Sequence, residues 1–342
     1  YVNGASGGVG DGVDESWGPA LDAGLEFVQW DSQLTNNGNP TPWVSHPDNV
    51  KDFLDTGLNI SNNVSVSSGG FRLSIGNSNQ KGMMPFTDLK KFLVGLSGAL
   101  QLGENLKASV SLNYINQNSD NLPITGYDSE NAFQQFIWSA RQVNFSDLKD
   151  WRSFPLAPIG TAAEGTPLNW NHNFQNNPYW VLQTNTNTFE KDRLIGNVGL
   201  TSQLTDDLTF SMKYGIDSFS LLDTKRQAMG SASAQNGSYK ERQIRSEEVN
   251  ASFLLSYDKD FTEDFGFSLS FGGNHMHRTY DRVYGELPGL ELPNLYNLSN
   301  LQTGATAELE NLHTYEQINS LYAFGQFSYK DMFFLDFTAR ND

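Results

Sequence analysis

The side chains best suited to bind a ligand are aromatic and amide groups within one polar stretch, residues 117–191. An indole or phenol ring offers a flat apolar surface with a polar edge, which can stack on a sugar ring or pack against a peptide. Amide side chains beside such rings supply hydrogen-bond donors and acceptors. The same rings could instead pack the interior of the stretch or contact another protein. The candidate ligand-binding residues are Trp138, Trp151, Trp170, Asn171, Tyr179 and Trp180.

Other residue patterns give little support for a metal site or an enzyme. His275 and His277 would share one face of a strand end, but no third ligand is near them in sequence. The acidic residues between 258 and 264 lack the spacing of a calcium loop. The glycine-rich run 7–12 lacks the Lys-Ser/Thr of a phosphate loop. We therefore predict no catalytic residue, no metal site and no cofactor.

The elements that position these residues are pairs of long strands joined by very short turns. Apolar and polar residues alternate from Phe92 to Leu102, a short turn follows, and the alternation resumes from Leu106 to Tyr114. A side-chain period of two places the apolar residues on one face and the polar residues on the other. Strands of about twelve residues, with short turns alternating with long loops, are typical of an outer-membrane β-barrel rather than a soluble sandwich.

The predicted fold is all-β, with about ten strands of a transmembrane antiparallel β-barrel arranged as five hairpins over residues 58–342. The whole chain, 1–342, is predicted to belong to one barrel domain, and residues 1–57 to form an extracellular loop region. The aromatic-rich loop should fold rather than stay disordered, with a helix between residues 128 and 149. The long polar loops are predicted at 79–89, 117–191, 218–245 and 275–317.

The polar face of these strands should line a water-filled lumen, and the apolar face should contact outer-membrane lipid. Lumen residues of this kind suit the passage of polar cargo, and charged ones could pair with a plug. The predicted lumen-lining residues are Asn113, Thr201, Lys213, Asp217, Asp336 and Arg340.

The amino-acid composition argues against several other classes of protein. The mean hydropathy of −0.47 and the lack of a long apolar run argue against transmembrane helices. A net charge of −17 argues against a nucleic-acid partner, which needs a basic surface. The absence of cysteine excludes disulfides and thiolate metal sites within these residues.

Seven short stretches, spread in order over nearly the whole chain, resemble motifs of the SusC/RagA-type TonB-dependent outer-membrane transporters of Bacteroidota. Each motif is weak alone, and their common order carries the resemblance. The stretches are Asp14–Pro19, Pro47–Gly57, Phe71–Ser74, Lys81–Pro85, Asn176–Trp180, Asp192–Asn197 and Thr338–Asp342.

The resemblance implies a barrel of about 22 strands plugged by an N-terminal domain. It also implies import of oligosaccharides or peptides, energy from the TonB complex, and a SusD-like surface lipoprotein as a lid. We expect this chain to be an internal part of such a barrel, without the plug. The loop tryptophans favour oligosaccharides as cargo, with peptides as the alternative. A soluble secreted glycan-binding β-sandwich and an outer-membrane barrel enzyme are the competing classes.

Overall fold

One antiparallel sheet of ten strands dominates the computed structural model, which describes residues 18–127, 130–157 and 159–342. Each strand pairs with its neighbours along the chain, so the sheet is a simple meander of five hairpins. The all-β prediction and the count of ten strands are confirmed. The strands are β3 (Leu58–Ser68), β4 (Phe71–Lys81), β5 (Asp88–Gln101), β6 (Leu106–Ser119), β7 (Asn187–Thr205), β8 (Leu208–Gln227), β9 (Ser238–Thr262), β10 (Phe265–Leu287), β11 (Glu308–Tyr329) and β12 (Phe333–Asn341).

Smaller elements lie in the connections at one end of this sheet. A two-stranded ribbon pairs β1 (Glu26–Phe27) with β2 (Thr41–Pro42). Within the residues that the structure describes, no helix is both long and apolar enough to cross a membrane. The helices are α1 (Ser32–Thr35), α2 (Asn49–Phe53), α3 (Ala132–Trp138), a 3-10 helix (Phe145–Ser153) and α4 (Pro178–Thr184).

Tight turns join the two strands of each hairpin at the opposite end of the sheet. Gly69 and Gly70 both have positive φ, 56° and 82°. Two consecutive positive φ angles match the twist of the flanking strands, and glycine adopts them without steric cost. Lys330 and Asp331 adopt the same backbone, with φ of 54° and 49°. The turns that the sequence placed between the paired strands are therefore present.

The register carries apolar residues of neighbouring strands onto one face of the sheet. Leu73 pairs with Leu96, and Leu96 pairs with Leu112. Farther along the sheet, Phe210 pairs with Leu255. An exposed apolar face of this extent is unusual for a soluble monomer and marks a surface that another phase or molecule covers. The six predicted lumen residues all lie on the opposite, polar face: Asn113, Thr201, Lys213, Asp217, Asp336 and Arg340.

Several strands are longer than the sequence predicted. The predicted loops 218–245 and 275–317 shrink to 228–237 and 288–307, because β8 to β11 continue through most of both segments. Here both faces of the sheet are mainly polar, so the apolar alternation disappears while the backbone pairing continues. The loop predicted at 117–191 spans 120–186, and the one at 79–89 spans 82–87.

Two further predictions need correction. The helix predicted over 128–149 is broken, because α3 ends at Trp138 and Ser139 is extended, with ψ of 135°. The acidic turn is also shorter than expected: Asp258 and Asp260 lie within β9, and Glu263 and Asp264 alone form the turn. Among the described residues, the edge strands β3 and β12 do not pair with each other.

Candidate functional site

The long loop and the N-terminal segment fold together on a shared aromatic core. We call residues 18–57 and 120–186 the cap. Phe53 of α2 lies 5.0 Å from both Phe136 and Tyr179, measured between ring centroids. Asn49 fixes the same contact, since its amide donates to the Val143 carbonyl at 2.5 Å. The buried core residues are Trp30, Phe53, Met84, Ala132, Val143, Phe145, Leu148, Trp170, Tyr179 and Leu182.

The stretch Asn176–Trp180, one of the seven that carry the family resemblance, contains the start of helix α4. The Asn177 side chain accepts hydrogen bonds from the backbone amides of Tyr179 and Trp180, at 3.0 and 3.2 Å. Pro178 follows as the first helical residue, where its missing N–H costs nothing. The Asn177 amide also donates to the Leu148 carbonyl at 2.9 Å. The motif therefore has a structural role inside the cap.

Buried amides join the cap to the short loop between β8 and β9. Asn176 donates to the Gly230 carbonyl at 3.0 Å and accepts from the Ala232 amide at 2.6 Å. Asn185 accepts from the Ala228 amide at 2.9 Å and donates to the Ser231 hydroxyl at 2.9 Å. These bonds replace the water that the loop backbone would otherwise bind, so they hold the cap over the end of the sheet.

Four of the predicted ligand-binding residues are inside the cap. Trp170, Asn171, Tyr179 and Trp180 are 8%, 7%, 3% and 7% exposed. The Trp170 indole donates to the Gln135 side chain at 3.1 Å. In this structure these side chains are packed inside the cap, and a ligand-binding role for them stays a prediction.

Trp138 and Trp151 are half-buried at the edge of the same core. The Arg152 guanidinium lies 4.2 Å from the centroid of the Trp151 ring and covers one of its faces. A ligand-binding role for these two tryptophans stays a prediction.

His172 makes the cap sensitive to acid. Its ring is 6% exposed, and burial lowers its pKa from the ordinary value of about 6.5. Below that value the unfolded cap binds a proton that the folded cap does not, so stability falls as pH falls through about 6.5. We expect proteolysis within 120–186 to accelerate between about pH 7 and pH 5. His172→Gln should remove this dependence, and an unchanged pH profile would contradict the assignment.

The polar face of the sheet carries a band of charges on β7 to β11, which we call the charged band. Arg193 donates two hydrogen bonds to Asp217, at 2.8 and 2.5 Å. Further ion pairs of the band are Arg242 with Asp223, Lys240 with Glu286 and Arg282 with Glu310. Asp217 is the predicted lumen residue that belongs to the band.

The other predicted lumen residues lie nearer the tight turns or at the edge strand. Thr201 and Lys213 are on β7 and β8, and Asn113 is on β6. Asp336 accepts from the Gln326 amide at 2.7 Å, and Arg340 donates to the Ser320 hydroxyl at 3.1 Å. The structure thus places all six on one face and brings them together as a wall rather than as a single site.

Some residues of the charged band form no ion pair among the described residues, and Arg278 and Glu316 are two of them; Glu248, the neighbour of Arg278 on β9, is a third. Arg278 and Glu316 are cross-strand neighbours, both exposed, and neither forms an ion pair within 4.0 Å among the described residues. They line a cavity of about 560 Å³ with Tyr280 and Thr314. The sequence prediction missed this site because it assigned 275–317 to a loop. Arg278, Tyr280 and Arg282 occur at every second position, and this period of two could have indicated that the strand continues through them.

The histidine pair does not lie at a strand end, as the sequence predicted. His275 and His277 are inside β10 on the apolar side of the sheet, where His275 contacts the Asn319 side chain at 2.6 Å. The His277 ring packs edge-on against Tyr315 at 4.8 Å. Across the described residues, no group of three or more His, Asp or Glu side chains is placed to hold a metal ion. Residues 7–12 and 14–17, which entered the sequence analysis, lie outside the described residues.

Comparison with known proteins gives structural matches only: no protein-family model and no curated sequence matches this chain. The chain is similar to the RagAB peptide transporter, with a TM-score of 0.65 and 17% identity over 86% of its length. It is also similar to the RagAB peptide importer in the open-open and closed-closed states, with a TM-score of 0.63 and 17% identity for each, over 83% and 87% of this chain. The chain spans 33%, 31% and 33% of the lengths of these three. At this identity the likeness shows a shared fold.

Proposed function

We propose that this protein is an outer-membrane importer of the TonB-dependent class and that its ten strands form part of the barrel wall. The observation that carries the proposal is the sheet itself, with one apolar face continuous across ten strands and a polar, charged face behind it. Lipid would cover the first face and water the second. The long loops and the cap would then lie outside the cell.

We infer the partners from the motifs that resemble SusC/RagA-type transporters. A SusD-like surface lipoprotein would cover the cap side, and the TonB complex would supply energy. The fold shared with the RagAB structures supports the importer class. It also gives a reason to consider peptides as the cargo, because RagAB is a peptide importer.

For the cargo, the charged band favours peptides over the oligosaccharides that the sequence suggested. Arg278 and Glu316 offer one free cation and one free anion side by side, which suits the carboxylate and ammonium groups of a peptide. A neutral oligosaccharide presents hydroxyl groups and no charge. Burial of Trp170, Tyr179 and Trp180 also removes three of the rings on which sugars were expected to stack.

The test is nutrient uptake by cells that carry the full-length protein with Arg278→Gln and Glu316→Gln together. The double change removes both free charges and keeps the net charge constant. We expect uptake of labelled peptides to fall about tenfold, which corresponds to about 1.4 kcal/mol of lost binding, while the amount of protein in the outer membrane stays constant.

A matched control is Asp281→Asn with His313→Gln, a carboxylate and an imidazole in contact on the opposite face of the same two strands. This control should leave peptide uptake at the parental rate. Normal peptide uptake by the Arg278/Glu316 variant, together with loss of growth on one oligosaccharide when the gene is deleted, would identify sugars as the cargo instead.

A further inference from the structure

Three charges lie in one row across the polar face of the sheet, and we call them the acid–base row. Glu248 on β9, Arg278 on β10 and Glu316 on β11 are cross-strand neighbours in that order. None of the three forms an ion pair within 4.0 Å in the part of the chain that the structure describes. Neighbouring strands are about 4.8 Å apart, so the Arg278 guanidinium has one carboxylate on each side.

The surroundings of the acid–base row do not balance its charge. The next residue in the row is Asp217 on β8, which Arg193 already neutralises through two hydrogen bonds. The adjacent rows on the same three strands are uncharged: Ser246, Tyr280 and Thr314 toward the cap, and Asn250, Met276 and Ile318 toward the tight turns. Two carboxylates therefore accompany one guanidinium, which leaves one negative charge in excess.

The burial of the two carboxylates differs and locates this excess charge at Glu316. Glu248 is half-buried, and a carboxylate that is partly removed from water gains more from a neighbouring cation than a hydrated one does. Glu316 is exposed and lines the cavity of about 560 Å³. It has Arg278 on one side only, because β12 pairs with β11 no farther than Leu321. Arg278 therefore balances Glu248, and Glu316 keeps its charge for a ligand.

A basic side chain fits the space beside Glu316. Met276 and Ile318 are cross-strand neighbours one row toward the tight turns, on the same face. The alkyl stem of a lysine or arginine can pack on them while its charged head meets the carboxylate. The Thr314 hydroxyl, one row toward the cap, offers a hydrogen bond to a peptide backbone. An acidic side chain in this place would be repelled by the excess negative charge.

We propose that the acid–base row selects basic peptides as cargo and that Glu248 sets this preference through Arg278. By balancing the guanidinium, Glu248 leaves the Glu316 carboxylate free to bind a lysine or arginine side chain of the cargo. Glu248 is thus a positioning residue that acts without touching the cargo. The inference rests on the proposed import of peptides and adds the charge of the peptides that are carried.

The test is equilibrium binding of peptides to the purified full-length protein in detergent, measured by calorimetry. Two peptides are compared that differ at one central position, which is lysine in one and glutamate in the other. We expect the parent to bind the lysine peptide at least about tenfold more tightly. Glu316→Gln should lower the affinity for the lysine peptide about tenfold and remove the preference.

Glu248→Gln gives a sharper prediction. Without its partner carboxylate, Arg278 balances Glu316 instead, and we expect the preference to fall below about threefold. Adding Arg278→Gln to that variant should restore the parental preference, because Glu316 is free again; a purely structural role of Glu248 would not be rescued in this way. Glu247→Gln is the matched control, since it makes the same change one residue away on the opposite face of β9, and should keep the parental preference.

Equal affinity of the parent for the two peptides would overturn the proposed selection. A preference that Glu248→Gln leaves unchanged, or that the double variant does not restore, would overturn the role of Glu248. In each of these cases the peptides still bind, so the proposed import of peptides stands. Failure of the parent to bind either peptide would contradict both proposals.

Discussion

Replacing Leu255 with arginine is expected to lower the free energy of unfolding of the membrane-inserted sheet by about 2–4 kcal/mol. Leu255 lies on the apolar face of β9 between Phe210 and Phe271. An arginine there would place a guanidinium in hydrocarbon without a partner. The readout is the folded fraction of the full-length protein, measured by heat-modifiable mobility in detergent and by urea unfolding in lipid vesicles.

Ser256→Arg is the matched control, because Ser256 is the next residue on β9 and faces the opposite side. Its hydroxyl lies 2.9 Å from that of Ser270, and water can hydrate an arginine on this face. We expect a loss below about 1 kcal/mol. Equal losses for the two variants would show that the two faces do not differ in their surroundings.

Replacing Phe53 with alanine should destabilise the cap by about 3–5 kcal/mol. Phe53 is 2% exposed and packs against rings from both parts of the cap core, including Phe136 and Tyr179. The change leaves a cavity where the N-terminal segment meets the long loop. Hydrogen exchange should therefore accelerate in 132–154 and 178–184, while the amides of the ten-stranded sheet keep their protection.

Val50→Ala is the matched control in the same helix, since Val50 is 37% exposed. It should leave exchange in the cap at the parental rate. If Phe53→Ala accelerated exchange equally in the cap and in the sheet, the cap would not be a separate cooperative unit.

The sequence predicted the wall of the sheet well because one physical rule applies to it. Where one face is apolar, residues such as Leu96, Leu112 and Leu255 must recur at every second position, and the tight turns then set the register. The rule does not apply to the parts of the strands that lie nearer the cap than this apolar region. In β8 and β9 the residues 218–227 and 238–245 are mainly polar on both faces, so their pairing leaves no alternation to read.

The candidate site was harder to predict, because its residues are brought together from distant parts of the chain. The aromatic composition of 117–191 correctly indicated a folded loop, yet not that α2 would insert Phe53 into it. Trp170 is buried in the same core as Phe53, whereas Trp180 packs in a separate cluster with Val181 and Ala228 of the loop that Asn176 and Asn185 contact. Whether a charged side chain finds an ion-pair partner depends on the register of β10 and β11. Arg278 and Glu316 are neighbours in that register and form no ion pair.

Cysteine labelling tests most directly whether the sheet crosses the outer membrane with the long loops outside the cell. The 342 residues contain no cysteine, so Pro293→Cys in the loop between β10 and β11 and Asp206→Cys in the turn between β7 and β8 each add one thiol to the full-length protein. We predict that a membrane-impermeant maleimide labels Pro293→Cys on intact cells above the parental level, and labels Asp206→Cys only after lysis. Equal labelling of the two positions on intact cells would contradict this orientation of the sheet in the membrane.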